Sequence, residues 1–493
     1  MGDAGVQADL EATTNRLMLI GGELVAAGSG ATMPVVSPGD GRSLGEVPAA
    51  DASDIDKAVR AAHTAFESWR FTDIAVRRQR ILDLAAVVRE DAAALAYLDA
   101  VDSGSPIRSM RQDLGHASFA AEFFAGLAFS WGGRSVPVMG RAVDYTVREP
   151  YGVTARIIPF NHPLVFAAWK IVPPLLTGNT VVMKLPDQTP LSGLRLAARI
   201  AALFPPGVVN FVTGRGAEAG AALVEHPLVR RVAFIGSVPT GTAIAKAAAA
   251  RLVPYTMELG GKNPMVVCAD ADPAQAARAA VRGMNFSTQG ESCGSYSRLF
   301  LHEDVHDDVV ARIVDEVRAV RVGHPLDEES DMGALIDAPA VDRMAEHVAG
   351  AVAAGASVAT GGNRLSGGRL AEGFYYEPTV LTDVQQSMPV ARTELFGPVL
   401  SVLRWKDPAR LLEEVNDTDL GLTANVHTND LQLAHRLAER IECGSIAING
   451  DGGQHWFGAP FGGFKSSGFG KEDTVDELLD STREKNLNFR LVP

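Results

Sequence analysis

Apolar residues recur at helical spacing with charges between them over 55–69 and 78–101, and the spacing predicts two amphipathic helices there. From about Thr146 the pattern changes to short β-rich runs alternating with helix-forming sequence. Segments 153–158, 180–183, 208–212 and 232–235 read as strands, while 163–171, opened by a proline, and 190–203 read as helices. After Met257 the alternation resumes, with strands at 264–268 and 298–301 and helices at 273–284, 305–320, 340–354 and 431–441. Strands separated by helices at this interval predict parallel β-α-β units, with a second α/β unit starting near Gly260. Two stretches fit neither unit: 141–148, which alternates in polarity, and the terminal 486–493. Edge strands without a sheet of their own are candidates for pairing with another subunit.

At 493 residues the chain is long enough for two or three domains. With 45 basic against 59 acidic residues it carries a net charge of −14, which argues against nucleic acid or an anionic membrane as partner. Apolar runs such as 171–176 fall far short of a membrane span. Three cysteines, Cys268, Cys293 and Cys443, are too few and too scattered for a disulfide framework, and no C-x-x-C pair offers a metal site. A reducing compartment and, with no secretory or lipidation signal in 1–15, a cytoplasmic location are expected.

Candidate chemistry begins at Cys293, whose small neighbours Ser292, Gly294 and Ser295 would present a thiol rather than bury it. Taken alone it reads rather as a packing residue, as most lone cysteines do. The run 232–241 passes from an apolar strand through Gly236 and Ser237 into an Ala-rich helix with Pro239 in its first turn, an arrangement that favours an anion at the helix start. It is not the G-x-G-x-x-G fingerprint, and a plain β-α connection would look the same. Lys184 and Asp187 follow another strand end, where open α/β sheets bind ligands, although a solvated loop fits them too. A carboxylate there can accept ribose hydroxyls and would repel a 2′-phosphate.

Five separate segments resemble the motifs of the NAD(P)-dependent aldehyde dehydrogenase family, in the family's order and over almost the full chain. They are Ile158-Pro159-Phe160-Asn161-His162-Pro163, Met257-Glu258-Leu259-Gly260-Gly261-Lys262, Gln289-Gly290-Glu291-Ser292-Cys293, Glu394-Leu395-Phe396-Gly397-Pro398-Val399, and the run 460–468. The resemblance implies an α/β fold with a Rossmann-like dinucleotide-binding domain (1–126 and 149–259), an α/β catalytic domain (260–471) and a small β oligomerisation arm (127–148 and 472–493) in a homodimer or homotetramer. It implies that Cys293, as thiolate, attacks a small-molecule aldehyde, that Asn161 and the Cys293 N–H hold the oxyanion, and that Glu258 draws the proton from the water that hydrolyses the thioester. It further assigns Lys184, Asp187 and Ser237, with Gly236, to adenine ribose and phosphate. Glu394 and Phe396, beside Ile158, Pro159 and Gly260, are assigned to the nicotinamide side.

Three positions depart from the family pattern. The acid of the Lys-Pro-Ala/Ser-Glu motif is Asp187 here, which still favours NAD over NADP. Phe160 replaces Trp. Glu291 replaces Gln, and an outward orientation is expected, because an inward charge would raise the thiol pKa. His302-Glu303-Asp304-Val305-His306 matches the zinc-protease string H-E-x-x-H, but His302 closes a β-rich run and the acids that follow read as a helix start, so no metal is expected. Retention of Cys293, Glu258 and Asn161 argues against a catalytically retired relative, and Glu258 argues against transfer to CoA. By the same resemblance His162, Phe166, Trp169, His455, Trp456 and Phe461 wall the substrate tunnel, the first three on one helical face. With no Arg among them to pair a carboxylate, they imply a bulky apolar or aromatic aldehyde.

Overall fold

Val153–Ile157 and Thr180–Lys184 are buried along their whole length, as strands covered by helices on both faces must be. The computed structural model describes residues 14–139, 142–452 and 456–490. In it these strands join Val209–Val212, Val229–Ile235 and Tyr255–Glu258 as the parallel part of an eight-stranded sheet. The chain lays Thr180–Lys184 and then Val209–Val212 on one side of Val153–Ile157, and crosses to the other side for Val229–Ile235 and Tyr255–Glu258. That reversal makes a topological switch point, outside whose carboxyl ends a crevice opens. Met18–Ile20 and Glu23–Val25 extend one edge antiparallel, and Gly468–Phe469 extends the other.

A second sheet has seven strands, of which Thr379–Thr382, Val399–Trp405, Arg298–His302, Pro264–Val267, Thr423–His427 and Ser445–Ile448 run parallel and Ser357–Thr360 antiparallel at one edge. The short connection 259–263 leads from Glu258, at the carboxyl end of a strand in the first sheet, to Pro264, at the amino end of a strand in the second. The two sheets therefore meet end to end, and the residues around this connection lie between them.

Three expectations change. The stretch 78–101 is two helices, Ile74–Glu90 and Ala92–Ser103, broken at Asp91 (φ −99°, ψ 11°). Its carboxylate takes a two-pronged ion pair from Arg195 Nε and Nη2 at 2.5 and 2.6 Å, so a tertiary contact overrides the helical periodicity. A further helix, Ile107–Gly126, packs beside Pro163–Trp169 where no element was expected. Finally, the two stretches outside the main units do have a sheet of their own. Ala142–Pro150 pairs antiparallel with Thr482–Arg490 along its whole length, and Ser135–Val136 lies on its far side.

Candidate active site

Cys293 sits, half-buried, on the loop between a single turn at Phe286–Thr288 and Arg298–His302. Gln289 and Gly290 bend this loop through positive φ (56° and 71°). Asn263, 1% exposed, braces it by donating from Nδ2 to Cys293 O (2.7 Å) and Ser295 O (2.9 Å), while its Oδ1 accepts from Thr423 N (3.0 Å). Sequence reasoning passed over Asn263; its place directly after Gly260-Gly261-Lys262 was the available signal. From the other side, Gln289 Nε2 donates to Ser105 Oγ and Ser109 Oγ donates to Ser287 O, which ties the loop to the start of Ile107–Gly126.

Burial pushes the Cys293 thiol up to about 12, with Glu394 and then Glu258 adding to the rise. That shift favours the protonated thiol ahead of the attack. Glu291 departs from expectation: it is buried, not outward, and accepts Ile336 N at 3.1 Å. Burial holds its carboxyl far above the usual range.

Glu258 ends Tyr255–Glu258 with a 5% exposed side chain, and neither carboxyl oxygen has a hydrogen-bond partner among the described residues. Burial raises its pKa well above the usual value, Glu472 raises it further, and Lys170 opposes them. Lys170 pairs with Glu472 at 2.6 Å, its ammonium 3.6 Å from the centre of the Trp169 ring. Glu472 in turn exchanges backbone hydrogen bonds with Phe461. Neither Lys170 nor Glu472 was singled out in the sequence, where they look like ordinary charged residues.

Asn161 follows the strand Val153–Ile157 at the switch point, 6% exposed, with Oδ1 buried and without a partner among the described residues. Beside it, Ile158 N donates to Lys184 O, Pro159 is half-buried, and the Phe160 ring meets Phe396 edge to face at 5.7 Å. Glu394 Oε1 accepts Gly261 N at 2.9 Å, and its carboxyl occupies the space a Cβ on Gly260 would need. Burial lifts that carboxyl to about 7.

Across the switch point, Ser237 caps Val238–Ala250 by accepting Thr240 N. Gly236 is required because a Cβ would strike the Phe234 ring, and its N–H is spent on Glu258 O (3.0 Å), so it offers no amide to a phosphate. Lys184, almost fully buried, pairs with one oxygen of Asp187, and Gly216 N donates to the other at 3.2 Å. Lys184 with Asp187, and Ser237 at a helix start, thus follow the carboxyl ends of strands in the first sheet, and a helix start, a lysine and a carboxylate are chemistry that fits phosphate and ribose.

His162 Nδ1 contacts Asp113 Oδ2 at 2.6 Å and its ring meets Phe166 edge to face. Trp169 packs on Phe457 (5.1 Å), as do Phe119 and Phe123 from Ile107–Gly126 (5.5 Å each), aromatics the sequence reading did not include. Trp456 is 67% exposed, and His455 lies outside the described residues. The string 302–306 spans a strand end and a helix start, and Arg404 Nη2 lies 2.7 Å from His306 Nδ1, so its two histidines do not share a helical face.

Comparison with known proteins agrees with this geometry. The model of the aldehyde dehydrogenase family matches residues 25–487. The chain is 43% identical to aldehyde dehydrogenase tropH of Talaromyces stipitatus over 92% of this chain and 90% of that protein. It is 40% identical to hydroxyisobutyraldehyde dehydrogenase of Mycolicibacterium austroafricanum over 99% and 96%. Among solved structures, the NAD+ complex of an aldehyde dehydrogenase from Bacillus cereus superposes with a TM-score of 0.94 at 36% identity, covering 99% of each chain. The chain belongs to the aldehyde dehydrogenase family.

Proposed function

We propose that this enzyme oxidises an aldehyde to the carboxylic acid with NAD, through a thioester on Cys293. The observation that carries the reading is Glu258: a buried carboxyl with no hydrogen-bond partner among the described residues, and one of the charges that act on the Cys293 thiol. A carboxyl whose pKa burial raises is, once ionised, a stronger proton acceptor than an exposed one. The Cys293 proton would pass to water as the sulfur adds to the carbonyl. Asn161 Nδ2 and the Cys293 N–H would hold the oxyanion of the thiohemiacetal. NAD, when bound, would supply the hydride acceptor needed to oxidise the thiohemiacetal carbon to the thioester level. Glu258 would then draw a proton from the water that attacks the thioester, which releases the acid and the thiol. Glu472 and Lys170 set the charge around that carboxylate.

For the cofactor, Lys184, Asp187 and Ser237 would hold the adenosine half, with Gly236 shaping the turn. Ile158, Pro159, Gly260, Glu394 and Phe396 would flank the nicotinamide half. Asp187 favours NAD, since its carboxylate would face the extra phosphate of NADP; Asp187→Ala is expected to raise kcat/KM with NADP relative to NAD. Segments 1–126 and 149–259 would act as the dinucleotide domain, 260–471 as the catalytic domain, and 127–148 with 472–493 as the oligomerisation arm. His162, Phe166, Trp169 and Phe461 would line the path of a bulky apolar or aromatic aldehyde. The direct test is NAD reduction across an aldehyde panel, with Cys293→Ala as control. The variant should lose turnover while keeping its affinity for NAD; normal turnover in Cys293→Ala would refute the reading.

A further inference from the structure

Two neighbouring helices bring aromatic rings and one polar pair together. Ile107–Gly126 carries Asp113, Phe119 and Phe123, and beside it Pro163–Trp169 carries Phe166 and Trp169, with His162 at its start. Phe119, Phe123 and Trp169 all pack on Phe457. Asp113 and His162 form the polar pair. His162 directly follows Asn161, and Asp113 lies one turn beyond Ser109, which is bonded to the cysteine loop at Ser287 O. The pair therefore lies toward the cysteine loop.

The imidazole is oriented. Nδ1 is taken by Asp113 at 2.6 Å, the side chain is 24% exposed, and Nε2 makes no hydrogen bond among the described residues. Burial works against a charged ring, but the charge and hydrogen bond of Asp113, with Asp99 behind it, outweigh burial, and the net shift is upward. Asp99 is fully buried and His116 lies 4.0 Å from the other oxygen of Asp113. A ring whose Nδ1–H donates to a carboxylate and whose Nε2–H is unspent can donate one directed hydrogen bond. Because Asp113 balances its charge, it suits a neutral oxygen better than a full carboxylate.

We propose that His162, held by Asp113, is the specificity-determining donor of the substrate path, and that the preferred aldehyde is an apolar or aromatic one carrying a neutral hydrogen-bonding oxygen, a hydroxyl or phenol. This rests on the functional reading above and narrows its substrate class. Asp113 is a positioning residue that acts through His162.

The test compares kcat/KM for benzaldehyde, for 2-, 3- and 4-hydroxybenzaldehyde and for succinate semialdehyde in the wild-type enzyme, His162→Phe, His162→Gln and Asp113→Asn. One hydrogen bond to a charged donor corresponds to roughly 10- to 100-fold, so the wild-type enzyme should prefer its best hydroxybenzaldehyde over benzaldehyde by about that ratio. The ratio should collapse toward one in His162→Phe and Asp113→Asn and return in part in His162→Gln, which keeps a donor. NAD affinity, measured alongside, reports that each variant is folded. Equal use of benzaldehyde and hydroxybenzaldehydes by the wild-type enzyme, an unchanged ratio in His162→Phe, or a preference for succinate semialdehyde overturns the inference while leaving aldehyde oxidation standing. No NAD reduction with any of these aldehydes would sink the functional reading itself.

Discussion

At the scale of single residues the account makes the thiol a poor nucleophile until it loses its proton. The ordinary Cys pKa lies near 8.5, and burial beside Glu394 and Glu258 moves Cys293 up to about 12. Only the thiolate is alkylated, so in the cofactor-free enzyme the alkylation rate of Cys293 should keep rising about tenfold per pH unit past pH 9. A plateau near pH 8 would contradict this. Asn161 is neutral and takes no proton, but it can donate to an oxyanion. Asn161→Ala should lower kcat about 100- to 1000-fold, the usual effect of losing one such donor, with NAD affinity retained. Cys293, Glu258 and Asn161 were legible in the sequence because each sits in a motif. Asn263, Lys170, Glu472 and Asp113 were not, since their importance lies in what they face, across 30 residues in the case of Asn263 and Cys293 and across 302 in that of Lys170 and Glu472.

At the scale of elements, buried carboxylates fasten helices that have no cap of their own. Asp99 and Asp102, both fully buried on Ala92–Ser103, accept Leu164 N (3.3 Å) and Leu191 N (3.0 Å) and so anchor the starts of Pro163–Trp169 and Leu191–Ile200. Burial lifts Asp99 from the usual carboxyl value to about 7. A carboxyl whose folded pKa is raised holds its proton more tightly in the native state. Its contribution to stability is therefore complete below the unfolded pKa and is lost as pH rises toward 7. Asp99→Asn keeps the acceptor and removes that titration, so its Tm relative to wild type should increase between pH 4 and pH 7.5. A Tm difference that does not change with pH would contradict the assignment. The same region shows where periodicity misled. Strands 153–158, 180–183 and 208–212 were readable because full burial leaves continuous apolar runs. The break at Asp91 was not, because its cause, Arg195, arrives from a distant helix.

At the scale of the whole molecule, two sheets joined end to end by 259–263 place Glu258, the proposed general base, at the end of one and the loop of Cys293, the proposed nucleophile, at the start of the other. The alternation of strands and helices made both units visible in the sequence, but neither spacing nor composition told how they face each other. The three-stranded sheet of Thr482–Arg490, Ala142–Pro150 and Ser135–Val136 stands apart from both and exposes Val136, Val143 and Phe489. An apolar edge of this kind fits the proposed oligomerisation arm. Truncation after Ser481 should lower the mass measured by light scattering to that of a smaller species; an unchanged mass would remove the arm's assigned role.

The end-to-end arrangement matters only if sulfur carries the acyl group, and mass spectrometry of Glu258→Gln after mixing with NAD and benzaldehyde tests that most directly. The account predicts one equivalent of NADH formed in a burst, little further turnover, and a benzoyl group on the peptide that contains Cys293. Sustained turnover with no acyl group on Cys293, or an acyl group found elsewhere, would contradict it.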